Sequence, residues 1–430
     1  AEGRTLDDFF SRVHDEKPDL IVFETKTPIV KRLWELTKDL RSQGVESKLV
    51  FFGDHVTAKP EESLGESAVD YVITGGNYDI SLLALAKNLT NGSELPPGLW
   101  YREDGKVKNA GNFRLDYDLN NLPFIDRRLT KAHLYGEKWK KRQPFMYTMV
   151  GRDCPWSKCT FCSWTTLYPR FKTRSPESLL DEIGYLIDEF GVQEIFDDTG
   201  TFPGGNWMQK FCKGMIDRGY NKKILFSCNM RFDYMLNPEV PKLMKKAGFR
   251  KVKSGLESAS DETLRRIRKG YGVKEILKGC KNAARAGIDV HLTVIVGYPW
   301  ETKEDAGRTV GLARKLMSDG HAEMLQATTL VPYPGTPLYE YGLENDLFRF
   351  SPTDYDRFDM TEPVFRTPDM TAQEVTEMCQ SVYRSFLAPK FVLRRVMNTR
   401  SWQDVDYLLR GAKAVIGHLR DFGKERFRKT

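Results

Sequence analysis

The sequence predicts an α/β protein in three consecutive parts: a doubly wound, Rossmann-like sheet over about 1–125, a partial six-unit βα barrel of TIM type over about 126–345, and a small helical domain over about 346–430. Three observations predict it. Short apolar runs of strand length alternate with helical periodicity from Pro18 onward, the signature of a mainly parallel sheet. The polar, proline-containing stretch Asp116–Asp126 interrupts that alternation once, as a linker does. After Thr371 only helical spacing remains.

Leu6, Phe9, Phe10 and Val13 fall at helical spacing behind Thr5, a plausible N-cap. Pro18–Phe23 reads as a strand, Ile29–Leu40 as a helix, and Lys48–Phe52 as the next strand, ending in Gly53-Asp54-His55. Val69–Ile73 is a third strand, ending in Thr74–Asn77 before a helix over Ile80–Leu89. In such sheets ligands sit at the carboxyl ends of the strands. Those ends carry Thr25 and Thr27, Gly53 and His55, and Gly75, Gly76 and Asn77. Small residues there let a bulky ligand approach the backbone, although Gly75-Gly76 also reads as a plain turn. His55 reads as a loop residue rather than a catalyst.

In the second part, strands are expected at Phe145–Val150, Glu194–Phe196, Ile224–Cys228, Lys251–Ser254, Asp289–Val296 and Glu323–Val331. A closed eight-unit barrel takes about 250 residues, more than this stretch offers. Chemistry in barrels sits just after the strands, so the candidates follow in order. Asp197, Asp198 and Thr199 bring adjacent carboxylates, suited to an ammonium group or to capping. Arg231 suits a carboxylate, either a ligand's or an internal partner's. Glu257 and Ser258 come next, then Val296, then Pro332 and Tyr333. Cys228 ends the third strand and is a candidate to face the site, whereas Cys212, Cys280 and Cys379 read as buried helix thiols.

Cys154, Cys159 and Cys162 lie in nine residues at spacing C-x4-C-x2-C. A structural zinc site closes with four ligands, whereas a cubane iron–sulfur cluster on three thiolates keeps one iron open. Zinc and a disulfide with one cysteine left over are the alternatives.

This loop resembles that of the radical S-adenosylmethionine superfamily, in which the open iron of a 4Fe–4S cluster binds S-adenosylmethionine and one electron yields a 5′-deoxyadenosyl radical. The usual spacing there is C-x3-C-x2-C; this chain has one more residue in the first gap. Phe161 stands where the family carries an aromatic near the adenine. The resemblance extends to Gly255-Leu256-Glu257-Ser258 with Lys269, to Gly297-Tyr298-Pro299-Trp300-Glu301-Thr302 and to Pro332-Tyr333-Pro334-Gly335-Thr336-Pro337. It implies that Asp197, Asp198 and Thr199 meet the amino group of S-adenosylmethionine and Arg231 its carboxylate. Glu257 and Ser258 would meet the ribose or methionine end, the backbone of Val296 the adenine, and Pro332 the same ligand. Glu301 and Thr302 would start a helix. Tyr333 and Cys228 are the catalytic candidates beyond the cluster ligands.

The first part resembles the cobalamin-binding domain that precedes many radical S-adenosylmethionine cores, lacking that domain's first strand. This implies cobalamin on Thr25, Thr27, Gly53, His55, Gly75, Gly76 and Asn77. Tyr383–Phe386 with Pro389 and Phe391 resembles the tail of members related to anaerobic magnesium-protoporphyrin cyclases and hopanoid methylases. The implied activity is methyl transfer to an unactivated carbon. Cyclisation, oxidation or carbon–carbon bond formation without methylation is the alternative. A methylthiotransferase acting on tRNA is disfavoured, because no second cysteine triad lies upstream, and a non-catalytic metal-binding module is the remaining reading.

Lys and Arg exceed Asp and Glu by 66 to 59, a mild basicity that suits anionic ligands without specifying nucleic acid. The basic runs Lys138–Arg142, Arg265–Lys269 and Lys424–Lys429 read as solvated faces. No apolar run reaches the roughly 18 residues of a membrane span, and no signal peptide opens the chain. The scattered cysteines and an oxygen-sensitive cluster fit a reducing cytoplasm. The expected partners are a small-molecule, lipid or peptide substrate and an external electron donor of flavodoxin or ferredoxin type.

Overall fold

The computed structural model describes residues 3–137, 139–399 and 402–428. Lys138 and Lys429, the outermost members of two of the basic runs, lie outside the described residues. Two compact units form, and they interleave along the chain rather than following the three consecutive segments read from the sequence. One comprises the chain up to Tyr117 with Arg152–Lys172 and Val331–Val364; the other comprises Asp118–Gly151, Thr173–Leu330 and the chain from Phe365.

The first unit holds a five-stranded sheet in chain order: β1 (Leu20–Thr25), β2 (Lys48–Gly53), β3 (Tyr71–Ile73), β4 (Leu99–Glu103) and β5 (Lys106–Asn109). β1 to β3 are parallel, while β4 and β5 form an antiparallel hairpin that the sequence reading missed. The signal was present: Asp104-Gly105 takes φ 53° and 74°, the two left-handed residues a tight hairpin turn demands. Thr5 caps the first helix, Leu6–Glu16, in a reciprocal box with Asp8. Val50, Ile73, Leu85 and Leu99 form the core on one sheet face. Two short helices, Asp54–Ala58 and Pro60–Glu66, follow β2, so His55 is helical and buried rather than a loop residue.

The second unit holds six parallel strands whose spatial order equals their chain order: β6 (Phe145–Thr148), β7 (Glu194–Asp197), β8 (Leu225–Asn229), β9 (Phe249–Glu257), β10 (Asp289–Val296) and β11 (Met324–Thr329). Met146, Ile195 and Phe226 share one row of the register on the face that the helices cover. There Phe226 and Phe249 meet Phe211 of helix Gly205–Asp217, with Phe202 between them.

An open sheet leaves two edges whose backbone groups need partners. At β6 the Arg127 guanidinium donates to the carbonyl of Tyr147 at 2.8 Å. At β11 the hydroxyl of Tyr383, on helix Ala372–Tyr383, lies 3.1 Å from both the amide nitrogen and the carbonyl oxygen of Ala327. One phenol thus serves both groups of one edge residue. Tyr383→Phe is expected to cost about 1–3 kcal/mol locally and to speed amide exchange at Ala327, read by hydrogen–deuterium exchange of the 324–329 peptide. No helix among the described residues is long and apolar enough to cross a membrane.

Candidate active site

In the first unit, the cysteine loop packs with the N-terminal sheet. Ser157 takes a left-handed φ of 44°, and its hydroxyl bonds the carbonyl of Cys154, turning the four-residue gap back on itself. The amide of Cys162 reaches the carbonyl of Cys159 at 3.4 Å. All seven cysteines are thiols, and the three in the loop are partly buried. Burial, with Cys159, Asp153 and Cys154 close by, pushes the Cys162 thiol up to about 12. The donor set therefore has the chemistry for a cluster, three soft sulfurs within electrostatic reach. Among the described residues, however, no three His, Cys, Asp or Glu side chains are gathered as a metal-holding group. Phe161, on the same turn, is partly buried.

The loop is anchored at both ends. Arg152 pairs with both carboxylate oxygens of Asp79, at 2.9 and 2.6 Å, and with Asn77 Oδ1 at 2.9 Å. Tyr168 donates its hydroxyl to the carbonyl of Gly76 at 3.0 Å, while the Gly76 amide donates to the Leu167 carbonyl at 3.1 Å. A Cβ on Gly76 would stand 1.9 Å from the Tyr168 ring, so only glycine fits. Gly75, at φ 80°, is likewise filled against Phe113.

The seven residues assigned to cobalamin follow the carboxyl ends of β1 to β3 and so share one sheet edge, the edge at which such sheets take ligands. Each also serves the unit itself. The Thr25 hydroxyl donates to the Phe52 carbonyl at 2.8 Å, and a Cβ on Gly53 would stand 2.4 Å from the Thr25 carbonyl oxygen. Thr27 meets His55 Nδ1 at 3.2 Å. The His55 ring lies edge-on to Tyr355, 4.6 Å between centroids, and burial pushes its pKa down to about 3, leaving a neutral ring. Pro332 and Tyr333 belong to this unit too; the Tyr333 hydroxyl reaches the Phe358 carbonyl at 3.4 Å.

In the second unit the strand-end candidates divide by the direction they face. Asp197 is fully buried and turned inward: Oδ2 accepts from the Thr148 hydroxyl at 2.8 Å and the Val150 amide at 3.1 Å, and Oδ1 from the Thr199 amide at 3.3 Å. Thr199 Oγ1 accepts the Gly151 amide at 2.9 Å. These two residues fasten the chain where it leaves β6. Asp198 is exposed, with Oδ1 3.4 Å from Asn229 Nδ2. Cys228 shares the row of Asp197 and has Cys212 of the covering helix as a neighbour, so it faces the helices rather than the opposite side. Arg231 takes the internal option: it is 5% exposed, held by Asp233 at 2.8 Å and the Lys269 carbonyl at 3.0 Å, and lies over Tyr271.

Glu257 takes a left-handed φ of 58°, and its Oε1 accepts from Lys269 at 2.8 Å. A Cβ on Gly255 would stand 2.0 Å from that carboxylate. The carbonyl of Val296 accepts the Leu330 amide at 2.9 Å. Thr302 caps helix Lys303–Ser318 as expected. Glu301 instead accepts the hydroxyl of buried Ser258 at 2.5 Å.

Burial lifts the Glu301 carboxyl from the ordinary 4.5 to about 7. A raised carboxyl pKa favours the protonated folded state, so this contribution is full below pH 4.5 and is lost as pH rises through 7. Glu301→Gln is expected to flatten the fall in thermal midpoint across that window, measured by a pH series of melting curves.

Comparison with known proteins decides the family of the barrel. Residues 148–313 match the model of the radical SAM superfamily. This chain carries a radical SAM domain. It is 28% identical over 402 residues to an uncharacterized methyltransferase of Pyrococcus horikoshii, covering 92% of this chain and 84% of that one. It is 28% identical over 244 residues to the anaerobic magnesium-protoporphyrin IX monomethyl ester cyclase of Cereibacter sphaeroides, covering 56% of this chain and only 38% of the cyclase. Its fold matches the cobalamin-dependent S-adenosylmethionine radical enzyme OxsB, with aqua-cobalamin and S-adenosylmethionine bound, at TM-score 0.70 and 16% identity, over 97% of this chain and 65% of that one. It matches the radical S-adenosylmethionine methyltransferase TsrM from Kitasatospora setae, with cobalamin and a 4Fe–4S cluster bound, at TM-score 0.69 and 15% identity, over 96% and 91%. The radical SAM domain contains Cys154, Cys159 and Cys162 and every strand-end candidate from Asp197 to Val296.

Three features escaped the sequence reading: the Arg152–Asp79 pair, the Tyr168 clamp on Gly76, and the polar row of Lys251, Lys253 and His291 in β9 and β10. Only the last left a local signal, the alternation Lys251-Val252-Lys253 in a strand whose two faces differ.

Proposed function

We propose that this chain is a radical S-adenosylmethionine enzyme that uses cobalamin to transfer a methyl group to an unactivated carbon. The observation that carries this reading is the likeness along nearly the whole chain. The triad-bearing radical SAM domain comes together with an N-terminal parallel sheet, as in two solved folds that hold cobalamin. The long alignment to a methyltransferase supports the same reading.

When bound, a 4Fe–4S cluster with S-adenosylmethionine supplies a hydrogen-abstracting radical, and cobalamin supplies a transferable methyl group. The protein's part is placement and exclusion of water. Cys154, Cys159 and Cys162 would hold the cluster, with Phe161 against the adenine. Asp198 and Glu257 are the carboxylates left to receive S-adenosylmethionine, since Asp197 is spent on Thr148, Val150 and Thr199. Lys269 and Thr293 both use Oε1 of Glu257, leaving Oε2 for the ligand. Cobalamin would lie at the carboxyl ends of β1 to β3, and an external one-electron donor of flavodoxin or ferredoxin type would supply the electron.

The test is anaerobic reconstitution with iron, sulfide and cobalamin. Retained cobalamin absorbance after desalting, with 5′-deoxyadenosine formed from S-adenosylmethionine and a strong reductant, is the expected result. Protein that retains no cobalamin and forms no 5′-deoxyadenosine contradicts the reading. The likeness to the cyclase, equal in identity over the shared stretch, favours radical oxidation or cyclisation as the second reading. Formation of 5′-deoxyadenosine by protein that retains no cobalamin and adds no methyl group to any product would select it.

A further inference from the structure

The two faces of the six-stranded sheet differ in kind. The helix-covered face is apolar, as described for Met146, Ile195 and Phe226. Barrel interiors are commonly filled by layers of Val, Ile and Leu, yet the opposite face here sets a polar group beside the aromatic rings of Trp139, Tyr147 and Phe196. The register sets Ser227 beside Lys251 and, one row on, Lys253 beside His291. Lys251 and Lys253, two residues apart, necessarily share that face.

Three of these side chains are more than nine-tenths buried: Ser227 and Lys251 at 0% and His291 at 5% exposure. Among the described residues, their polar atoms have no hydrogen-bond partner: Ser227 Oγ, Lys251 Nζ, and both ring nitrogens of His291. Buried polar groups are almost always paired, and a buried cation without a counter-charge is among the costliest arrangements a fold can hold. The two nearby carboxylates bond elsewhere: Glu194 accepts from Arg250 at 2.7 Å and from the amides of Lys141 and Arg142, and Glu137 accepts the hydroxyl of Tyr147 at 2.5 Å. Trp139 lies against Lys251, 2.7 Å from Nζ to the ring centroid, and supplies a face that excludes water but accepts no conventional hydrogen bond. The unsatisfied set comprises the ammonium, the hydroxyl and the imidazole, with Lys253 adding positive charge alongside.

We propose that Ser227, Lys251 and His291 form a buried site for an anionic group, a carboxylate or a phosphate, and that this group belongs to the substrate. The ammonium offers three donors and the hydroxyl one, while the imidazole donates from one nitrogen; together they match the oxygens of a single carboxylate or phosphate. That the anion is part of the substrate rests on the radical reading above. The site itself does not, so it is tested without reductant or S-adenosylmethionine.

The experiment is equilibrium dialysis of the full chain against radiolabelled inorganic phosphate in one arm and radiolabelled acetate in the other. Saturable binding of at least one is expected, and the arm that binds names the group. Lys251→Met is expected to weaken it roughly 10- to 100-fold, the loss of one buried charge-assisted interaction. His291→Phe and Ser227→Ala are expected to weaken it less. The thermal midpoint of Lys251→Met without anion is expected to hold or rise, because an unpaired buried cation is replaced by an apolar side chain of similar length. If neither anion binds the wild type, the site is overturned. It is equally overturned if Lys251→Met melts lower while His291→Phe and Ser227→Ala bind as the wild type does, for the lysine then serves packing alone. Failure to form 5′-deoxyadenosine leaves this outcome untouched, so the two readings fail separately.

Discussion

Glu182→Ala is expected to destabilise the barrel unit by about 3–5 kcal/mol, the cost of breaking a buried ionic cluster by removing one member. Glu182 is 3% exposed and bridges two buried arginines: Oε1 accepts from Arg127 at 2.8 Å and Oε2 from Arg174 at 2.5 Å. Neither arginine can deprotonate to escape, so alanine leaves two guanidinium groups buried without their counter-charge. Arg127 also covers the open edge of β6 through the Tyr147 carbonyl, and the Arg174 amide donates to the Val150 carbonyl at 2.9 Å. The damage should therefore concentrate where the chain enters and leaves the cysteine loop. Glu182→Gln keeps the shape and one acceptor and should lose less. Chemical denaturation followed by circular dichroism gives the magnitude, and hydrogen exchange of the 145–151 peptide gives the place. A loss under 1 kcal/mol in Glu182→Ala, below what breaking such a cluster costs, would show that water reaches these arginines.

Replacing any one of Cys154, Cys159 and Cys162 by alanine is expected to abolish 5′-deoxyadenosine formation and to lower bound iron sharply after anaerobic reconstitution. The loop offers three thiolates and no fourth cysteine to replace one that is lost. Cys212, Cys280 and Cys379 are the controls. All three are buried in helices, and burial alone pushes the Cys212 and Cys379 thiols up to about 12. Cys379→Ala should therefore keep its iron. Iron content that is unchanged by replacing all three loop cysteines would place the metal elsewhere.

Much of this was legible in the chain because the period of burial is local. The six barrel strands and their parallel order follow from runs such as Asp289–Val296, whose extent the structure reproduces. β9 is longer than its apolar pattern suggested, Phe249–Glu257 rather than Lys251–Ser254, because Gly255 and the alternating lysines weaken the strand signal. The parity of the strand ends was not legible. In Phe196-Asp197-Asp198 a single step decides which carboxylate turns to the helices and which to the opposite face, and sequence alone does not fix that step. The register gives Asp197 to the helix side beside Cys228 and leaves Asp198 exposed. Nor could local pattern show that Arg231 would find Asp233 only two residues away. The interleaving of the two units depends on packing between segments distant in sequence, 92 residues apart in one pair. Gly76 and Tyr168 illustrate it: each looks ordinary alone, and only their contact explains both.

The most direct measurement is electron paramagnetic resonance of the reconstituted, reduced protein with and without S-adenosylmethionine. A reduced 4Fe–4S signal that shifts when S-adenosylmethionine is added, and that is lost in Cys159→Ala, is the predicted result. A cluster signal indifferent to S-adenosylmethionine, or tightly bound zinc with no such signal, would contradict the account.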